Sequence, residues 1–267
     1  MPRFAANVSF LFQEHPLERR FAAAARAGFG GVEVLFPYDT PPEALAALAR
    51  QAGVALLQFN LPPGDWAAGE RGLAALPGRE AEFERSVEIG LDYARRSGVR
   101  QVHVMAGCSA PGAAEARLET YCRNLGHAAR RFAPDGVTVQ IEPINPRDIP
   151  GYFLTRGAVA LDVLQRVGAE NLKIQLDLYH RQIVEGDLTR FLTEHIARIS
   201  HIQIAGVPER GEPDRGEVNY PAIFALLDAL GYAGWVGCEY RPQGDTEAGL
   251  GWMHGRGAAA AGEGSGG

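Results

Sequence analysis

Eight short apolar runs, separated by longer amphipathic segments, constrain the fold of this chain more than any other feature. The runs lie at 4–9, 31–35, 54–60, 100–106, 137–142, 172–178, 200–205 and 235–240. Each has the length of a β-strand, and the intervening segments show helical periodicity. These helical segments lie near 16–27, 41–52, 79–97, 112–133, 155–167, 187–198 and 219–230. Such regular alternation predicts parallel strands connected by helices.

A single (β/α)₈ barrel is the architecture that accommodates eight such units in 267 residues. The rival, a doubly wound sheet, would place a glycine-rich turn after its first strand. The nearest candidate, at 28–31, precedes a strand, and the sequence contains no Walker-type motif. We therefore predict an α/β fold with one TIM barrel over residues 1–254. The Gly/Ala-rich tail, residues 255–267, is expected to be disordered.

Charge, apolar runs and cysteine spacing limit the classes of partner and the cellular location expected for this protein. The net charge is −6 and no long Lys/Arg run occurs, so we expect no nucleic-acid partner. No apolar stretch approaches the roughly 18 residues that span a bilayer, so we expect no membrane association. The N-terminus lacks the apolar core of a signal peptide, and the three cysteines lack metal-type spacing. These observations favour a reduced, cytoplasmic protein.

Four polar side chains close the last four predicted strands. They are Glu142, Asp177, Gln203 and Glu239, separated by 35, 26 and 36 residues. Each separation is about one strand-plus-helix unit, and all strand C-termini of such a barrel face one mouth. Within each strand, period-2 alternation places these four side chains on the face opposite the apolar residues, which is the barrel interior.

This constellation suits a metal ion, although a simpler interpretation remains open. Three carboxylates and an amide oxygen form an all-oxygen site, which favours Mg²⁺ or Mn²⁺ over Zn²⁺. A cation would offset the repulsion among Glu142, Asp177 and Glu239, with Gln203 completing the ligand set. Alternatively, the same residues are strand ends that bond to loop amides or arginines.

Further polar residues are candidates for substrate binding. His103 and Asn60 point inward by parity, as does Glu33, and each is equally compatible with a satisfied core position. His180 follows Asp177 by three residues, at the start of a predicted loop. Arg71 lies in a long loop after the third predicted strand, where it is either a clamp for a substrate carboxylate or a solvated charge.

The segments RFAANVSFLF, GDWAAGERG, IEPIN, QLDLYH and CEYRP, together with the four strand ends, resemble the hydroxypyruvate isomerase family. That family belongs to the xylose isomerase-like TIM barrels, which also include sugar epimerases and endonuclease IV. The resemblance covers most of residues 1–250. In the epimerases and the nuclease the seventh-strand position is usually His, whereas here it is Gln203, as in the hydroxypyruvate isomerase branch.

The resemblance implies isomerisation of a small hydroxy-oxo acid. The reaction would convert hydroxypyruvate to tartronate semialdehyde, or 2-oxo-tetronate to its 3-oxo isomer, through an enediolate. Glu142 and Glu239 would be the acid/base pair, and the divalent metal would be held by the four strand-end residues. His180, Arg71, Asn60 and His103 would contact the substrate. The expected partner is thus a small-molecule acid, with a homo-oligomer left open.

Three rival functions differ in what they require of the chain. A ketose 3-epimerase or an inosose dehydratase-like enzyme on the same barrel acts on neutral polyols and needs no carboxylate clamp. A nuclease acting at abasic sites needs a histidine-rich zinc site and a basic groove. A catalytically silent binding barrel would not need both glutamates and the aspartate.

Overall fold

Parallel strands form one continuous sheet in this computed structural model, which describes residues 2–108 and 114–254. The strands are β1 (Arg3–Asn7), β2 (Gly31–Glu33), β3 (Ala55–Leu56), β4 (Gln58–Asn60), β5 (Gln101–His103), β6 (Thr138–Ile141), β7 (Leu172–Asp177), β8 (Ile199–Ile204) and β9 (Trp235–Cys238). The predicted tail, 255–267, and the predicted start of a helix at 112 lie outside the described residues.

The sheet closes on itself, which confirms the predicted α/β barrel. The strand order is β3-β2-β1-β9-β8-β7-β6-β5-β4. Its two ends, β3 and β4, are consecutive pieces of the single strand predicted at 54–60. They are separated at Leu57, whose N–H donates to the carbonyl of Val32. The first piece pairs with β2 and the second with β5, so one stretch of chain bridges both sides of the closure.

Helices surround this barrel. They are α1 (Leu17–Arg26), α2 (Pro42–Ala52), α3 (Glu80–Ser97), α4 (Ala114–Phe132), α5 (Gly157–Val167), α6 (Leu178–Val184), α7 (Leu188–His195) and α8 (Tyr220–Ala229). The predicted helical segments correspond to all of these except α6, a seven-residue helix that directly follows β7. No helix in the described ranges is long and apolar enough to cross a membrane.

The core lies between the strands and the helices, while the barrel interior is polar. Val139 and Ile141 of β6 are fully buried, as are Leu125 and Phe132 of α4. The opposite strand faces carry buried glutamines, histidines and acids: Glu33, Gln58, Gln140, Gln175, His201 and Gln203. Branched aliphatic residues usually fill this position in a TIM barrel. The interior therefore has to be held together by hydrogen bonds.

Gly237 on β9 makes room for one of these polar contacts. The carboxylate of Glu33 lies 2.7 Å from the ring of His201, with both side chains buried. A Cβ at position 237 would overlap both of them. We expect Gly237→Ala to lower the free energy of unfolding by about 1–3 kcal/mol, the usual cost of overpacking.

Chemical denaturation measures this effect. Gly244→Ala is the matched control, because no atom lies within 4 Å of a Cβ built there. Equal stability of the two variants would contradict the close packing of Glu33 and His201 against β9.

Candidate active site

A cavity of about 480 Å³ opens at the C-terminal ends of the barrel strands. Its lining includes residues predicted from the sequence: Asn60, Arg71, His103, Glu142, His180 and Glu239. The other two predicted residues, Asp177 and Gln203, are buried and contact this lining. The structure thus brings all eight predicted residues into one region.

Glu142 presents one oxygen to the protein and leaves the other without a partner. The residue directly follows β6 and is 4% exposed. Its Oε2 accepts a hydrogen bond of 3.0 Å from the amide of Gln175. Its Oε1 is buried and accepts no hydrogen bond within the described residues. An unpartnered buried carboxylate oxygen is costly unless a ligand or an ion completes it.

Asp177 has two roles, which the sequence pattern did not reveal. It ends β7 and is also the N-cap of α6, because its Oδ1 accepts from the backbone N–H of Tyr179 at 2.9 Å. Its Oδ2 remains without a hydrogen-bond partner in the described chain. The prediction that His180 begins a loop was wrong, since His180 lies in α6. The short helix, capped by Asp177, holds His180 beside it.

His180 faces both acids with its Nε2 atom. The distances are 3.5 Å to Asp177 Oδ2 and 3.8 Å to Glu142 Oε1. Its Nδ1 lies 2.6 Å from the amide nitrogen of Asn145. The oxygen of that amide already accepts from two backbone N–H groups, of Arg147 and Asp148. The Asn145 nitrogen must therefore be the donor, which leaves the proton of the neutral imidazole on Nε2.

Glu239 is held by three donors at the end of β9. Its Oε2 accepts from Asn7 at 2.8 Å and from Gln203 at 2.7 Å. Its Oε1 accepts from the guanidinium of Arg210 at 2.7 Å. Asn7 ends β1, so its parity and strand-end position could have identified it in the sequence.

Arg210 is the largest omission from the sequence-based site. Its guanidinium donates to Glu239 and, at 2.8 Å, to Asp148, and it lies 3.6 Å from Asp177 Oδ2. The residue is only 8% exposed and adopts a left-handed φ of 56°, which is uncommon for a long side chain. It comes from the loop between β8 and α8, where no periodicity indicates the direction of a side chain.

Burial dominates the proton affinities of the three acids. It raises the pKa of Glu142 well above its usual range, and the charges of Glu239 and Asp177 add to the effect. Burial likewise raises the pKa of Asp177 to about 6 and that of Glu239 to about 8, although Arg210 opposes both shifts. Carboxyl groups of this kind can exchange protons near neutral pH.

The two cavity histidines remain neutral. Burial lowers the pKa of His103 to about 3 and that of His180 well below its ordinary value. His103 Nδ1 lies 3.2 Å from the oxygen of Asn60 and 3.6 Å from Glu142 Oε2. Because Asn60 supplies an acceptor, Nδ1 carries the proton, and Nε2, which has no partner in the described part of the chain, is an acceptor. Arg71 stacks over Trp66, with its guanidinium carbon 3.7 Å from the ring centre.

The donor set fits a divalent cation at one end of the cavity. Glu142, Asp177 and His180 bring potential ligand atoms within 4.8 Å of one another. Because His180 carries its proton on Nε2, the available ligands are the two carboxylates, each of which has an oxygen without a hydrogen-bond partner among the described residues. Two of these residues belong to the predicted ligand set. The amide oxygen of Gln203 accepts from Gln175 at 2.7 Å, and Glu239 is occupied by its three donors. Their role as ligands stays a prediction.

These features are those of a barrel enzyme with an acidic mouth that could hold a metal ion. The chain belongs to the xylose isomerase-like TIM barrel family, whose model matches residues 21–255. A 2-oxo-tetronate isomerase of Cupriavidus necator is 56% identical over 254 residues, covering 95% of this chain and 98% of that relative. A hydroxypyruvate isomerase of Escherichia coli is 46% identical over 254 residues, covering 95% and 98%.

A solved structure from Brucella melitensis has the same fold. It is named AP endonuclease, family 2, and is 50% identical to this chain. The TM-score is 0.94, and the match covers 96% of this chain and 99% of that one. The family model and the isomerase relatives confirm the family resemblance inferred from the sequence.

The raised carboxyl pKa values predict an unusual dependence of stability on pH. Because the folded pKa values of Asp177 and Glu239, about 6 and 8, exceed ordinary carboxyl values near 4, the folded state binds more protons in between. Their contribution to stability is therefore lost as pH rises through this window. In chelator, we expect the melting temperature to fall between about pH 5 and pH 9.

Added Mg²⁺ or Mn²⁺ should raise the melting temperature more at pH 8 than at pH 5, because a cation competes with protons for the carboxylates. Thermal denaturation at each pH, with and without the ion, measures both effects. Asp177→Asn is the control that should lose most of the shift. A cation effect equal at the two pH values would contradict ion binding by these acids.

Proposed function

We propose that this chain isomerises a small hydroxy-oxo acid by moving a proton between two adjacent carbons. The isomerase class follows from relatives that carry that activity in their names and match almost the whole chain. The observation that carries the mechanism is the pair of buried glutamates, Glu142 and Glu239, which line one cavity with raised pKa values.

With hydroxypyruvate the proton balance is simple. One glutamate accepts a proton from C3, and the electron pair moves through C2 to its carbonyl oxygen, which gives an enediolate. A proton is then delivered to C2, and the proton of the C3 hydroxyl moves to the C2 oxygen as the aldehyde forms, so that C2 ends with a hydroxyl group. Each carboxyl group must be able to hold a proton at working pH, as burial provides here. The same exchange between C2 and C3 serves 2-oxo-tetronate.

The hydrogen-bonding capacity and charge of the other cavity side chains indicate their supporting roles. His180, neutral with its proton on Nε2, donates to a substrate oxygen. Asn60 and His103 contact the substrate hydroxyl groups. Arg71 and Arg241, which line the cavity, bind the substrate carboxylate. Arg210 keeps Glu239 oriented and reduces the repulsion among the acids.

A divalent cation, Mg²⁺ or Mn²⁺, would be held by Glu142 and Asp177, whose free oxygens suit a hard ion, with Gln203 and Glu239 as further predicted ligands. When bound, it would polarise the carbonyl and stabilise the developing oxyanion. A homo-oligomer and a cytoplasmic location stay predictions.

Two rival functions, a neutral-sugar enzyme and a nuclease, fit this site less well. A neutral ketose or inosose would leave cavity arginines such as Arg71 and Arg241 without an anion to bind. A nuclease requires a basic surface, whereas the chain has a net charge of −6. An activity panel of hydroxypyruvate, 2-oxo-tetronate, free ketoses and abasic-site DNA separates these functions. Turnover of a ketose or of DNA, with no turnover of either acid, would contradict the proposal.

Replacing either glutamate by glutamine removes a proton carrier but keeps its shape. We expect Glu142→Gln and Glu239→Gln each to lower kcat/KM for the acid substrate by at least about 100-fold, the usual contribution of general acid–base catalysis. Steady-state kinetics measure the loss, and circular dichroism checks the fold. Exposed Glu194→Gln on α7 is the control and should match the wild type. Near wild-type activity in both cavity variants would refute the mechanism.

Arg71 tests the carboxylate clamp. We expect Arg71→Met to raise KM for the acid about 10- to 100-fold with little change in kcat, because a charge-assisted hydrogen bond contributes about 1.5–3 kcal/mol. Exposed Arg50→Met on α2 is the matched control. An unchanged KM would show that another residue binds the carboxylate.

A further inference from the structure

We propose that Gln175 is a positioning residue that sets the orientation of both Glu142 and Glu239. The inference rests on the proposed function for its kinetic consequences, but its geometric content is independent of any substrate. Nothing in the family resemblance or in the named relatives assigns a role to this side chain.

Both hydrogens of the Gln175 amide are committed to the site. Its Nε2 lies 3.0 Å from Glu142 Oε2 and 2.7 Å from Gln203 Oε1. The side chain is 2% exposed and comes from the middle of β7, two residues before Asp177. The donor to Glu142 therefore comes from the rigid barrel wall, whereas loops supply Arg71 and Arg210.

The Gln203 amide extends this series of hydrogen bonds to the second glutamate, Glu239. Its Nε2 lies 2.7 Å from Glu239 Oε2 and 2.8 Å from Glu33 Oε2. Two amide groups in series thus connect Glu142 to Glu239, and each N–H has an acceptor. Neither glutamate can rotate its carboxylate without breaking a buried hydrogen bond.

The two acceptors of Gln203 define the direction of these hydrogen bonds. Its NH₂ group donates to Glu33 Oε2 and to Glu239 Oε2. The oxygen of Gln203 then faces Gln175 and accepts a hydrogen bond from its NH₂ group. Only this arrangement gives Gln175 a second hydrogen for Glu142. The side chain of His201, 2.7 Å from the other Glu33 oxygen, holds Glu33 in place.

The amide hydrogen bonds determine which carboxylate oxygen of each glutamate remains for catalysis. Both glutamates use Oε2 for the amide chain, which leaves Oε1 for the chemistry. Glu142 Oε1 accepts no hydrogen bond from any described residue, and Glu239 Oε1 accepts one from Arg210. Proton transfer between adjacent carbons depends on placing these atoms correctly, and a misplacement of about 1 Å can cost about 100-fold in rate.

Gln140 provides a matched comparison inside the same barrel. It is also a fully buried glutamine on an inward strand face, one strand away on β6. Its Nε2 donates to Gln101 Oε1 at 2.6 Å and to Ser200 Oγ at 2.8 Å, so it touches neither glutamate. Substituting either glutamine by methionine removes an amide and preserves volume, but only one substitution disturbs the proton carriers.

The test compares Gln175→Met, Gln175→Glu and Gln140→Met with the wild type on hydroxypyruvate and 2-oxo-tetronate. We expect Gln175→Met to lower kcat about 10- to 100-fold, as loss of a supporting hydrogen bond does, while KM stays within about 3-fold. Gln175→Glu preserves shape but opposes Glu142 with an acceptor, so kcat should fall at least as far. Gln140→Met should keep kcat within about 3-fold of the wild type.

Crystal structures of the variants read the carboxylate orientations directly, even if the wild type turned over neither acid. We expect Glu142 to rotate in both Gln175 variants and to stay in place in Gln140→Met. The shape-preserving Gln175→Glu serves if Gln175→Met fails to fold. Equal kinetic losses in the Gln175 and Gln140 methionine variants, or an unmoved Glu142 in both Gln175 variants, would overturn the proposal. Wild-type inactivity on both acids would refute the proposed function alone.

Discussion

The structure depends on one constraint, namely that Glu33, Glu142, Asp177 and Glu239 are all buried at the same barrel mouth. Buried like charges repel strongly unless donors, protons or a cation compensate them. The molecule supplies Arg210 from a loop, amides from β1, β7 and β8, and a helix N-terminus beside Asp177. The polar barrel interior, the tight packing at Gly237 and the raised carboxyl pKa values all follow from accommodating these acids.

This compensation is incomplete, which leaves room for a ligand at the barrel mouth. One oxygen of Glu142 and one of Asp177 have no donor in the described residues, and they converge with His180 on the same space. A site that satisfied every acid internally would have no affinity for a cation and no capacity to exchange protons with a substrate. The carboxylate oxygens that lack a donor make this buried acidic cluster a candidate catalytic centre.

Period-2 alternation predicted much of this, because strand parity is a local property. It placed the four strand-end residues Glu142, Asp177, Gln203 and Glu239 on one inward face, and the strand spacing predicted the closed barrel. It did not predict α6, because this seven-residue helix begins at Leu178, inside the strand predicted at 172–178. It also missed Arg210, whose direction depends on a loop backbone, and the break at Leu57, which arises from pairing with two different neighbours. Alternation along 172–177 also places Gln175 on the inward face, but its partners depend on side-chain conformations that no sequence pattern encodes.

The central claim is that two buried carboxyl groups carry a proton between adjacent carbons. Isomerisation of hydroxypyruvate in D₂O, with the aldehyde product reduced as it forms, tests this directly. If the glutamates exchange protons with solvent, the product carries deuterium at C2 from the first turnovers. A product without deuterium at C2 would show that the hydrogen taken from C3 is the one delivered to C2, and would contradict an account in which one carboxyl accepts the proton and a second, exchanged with solvent, donates.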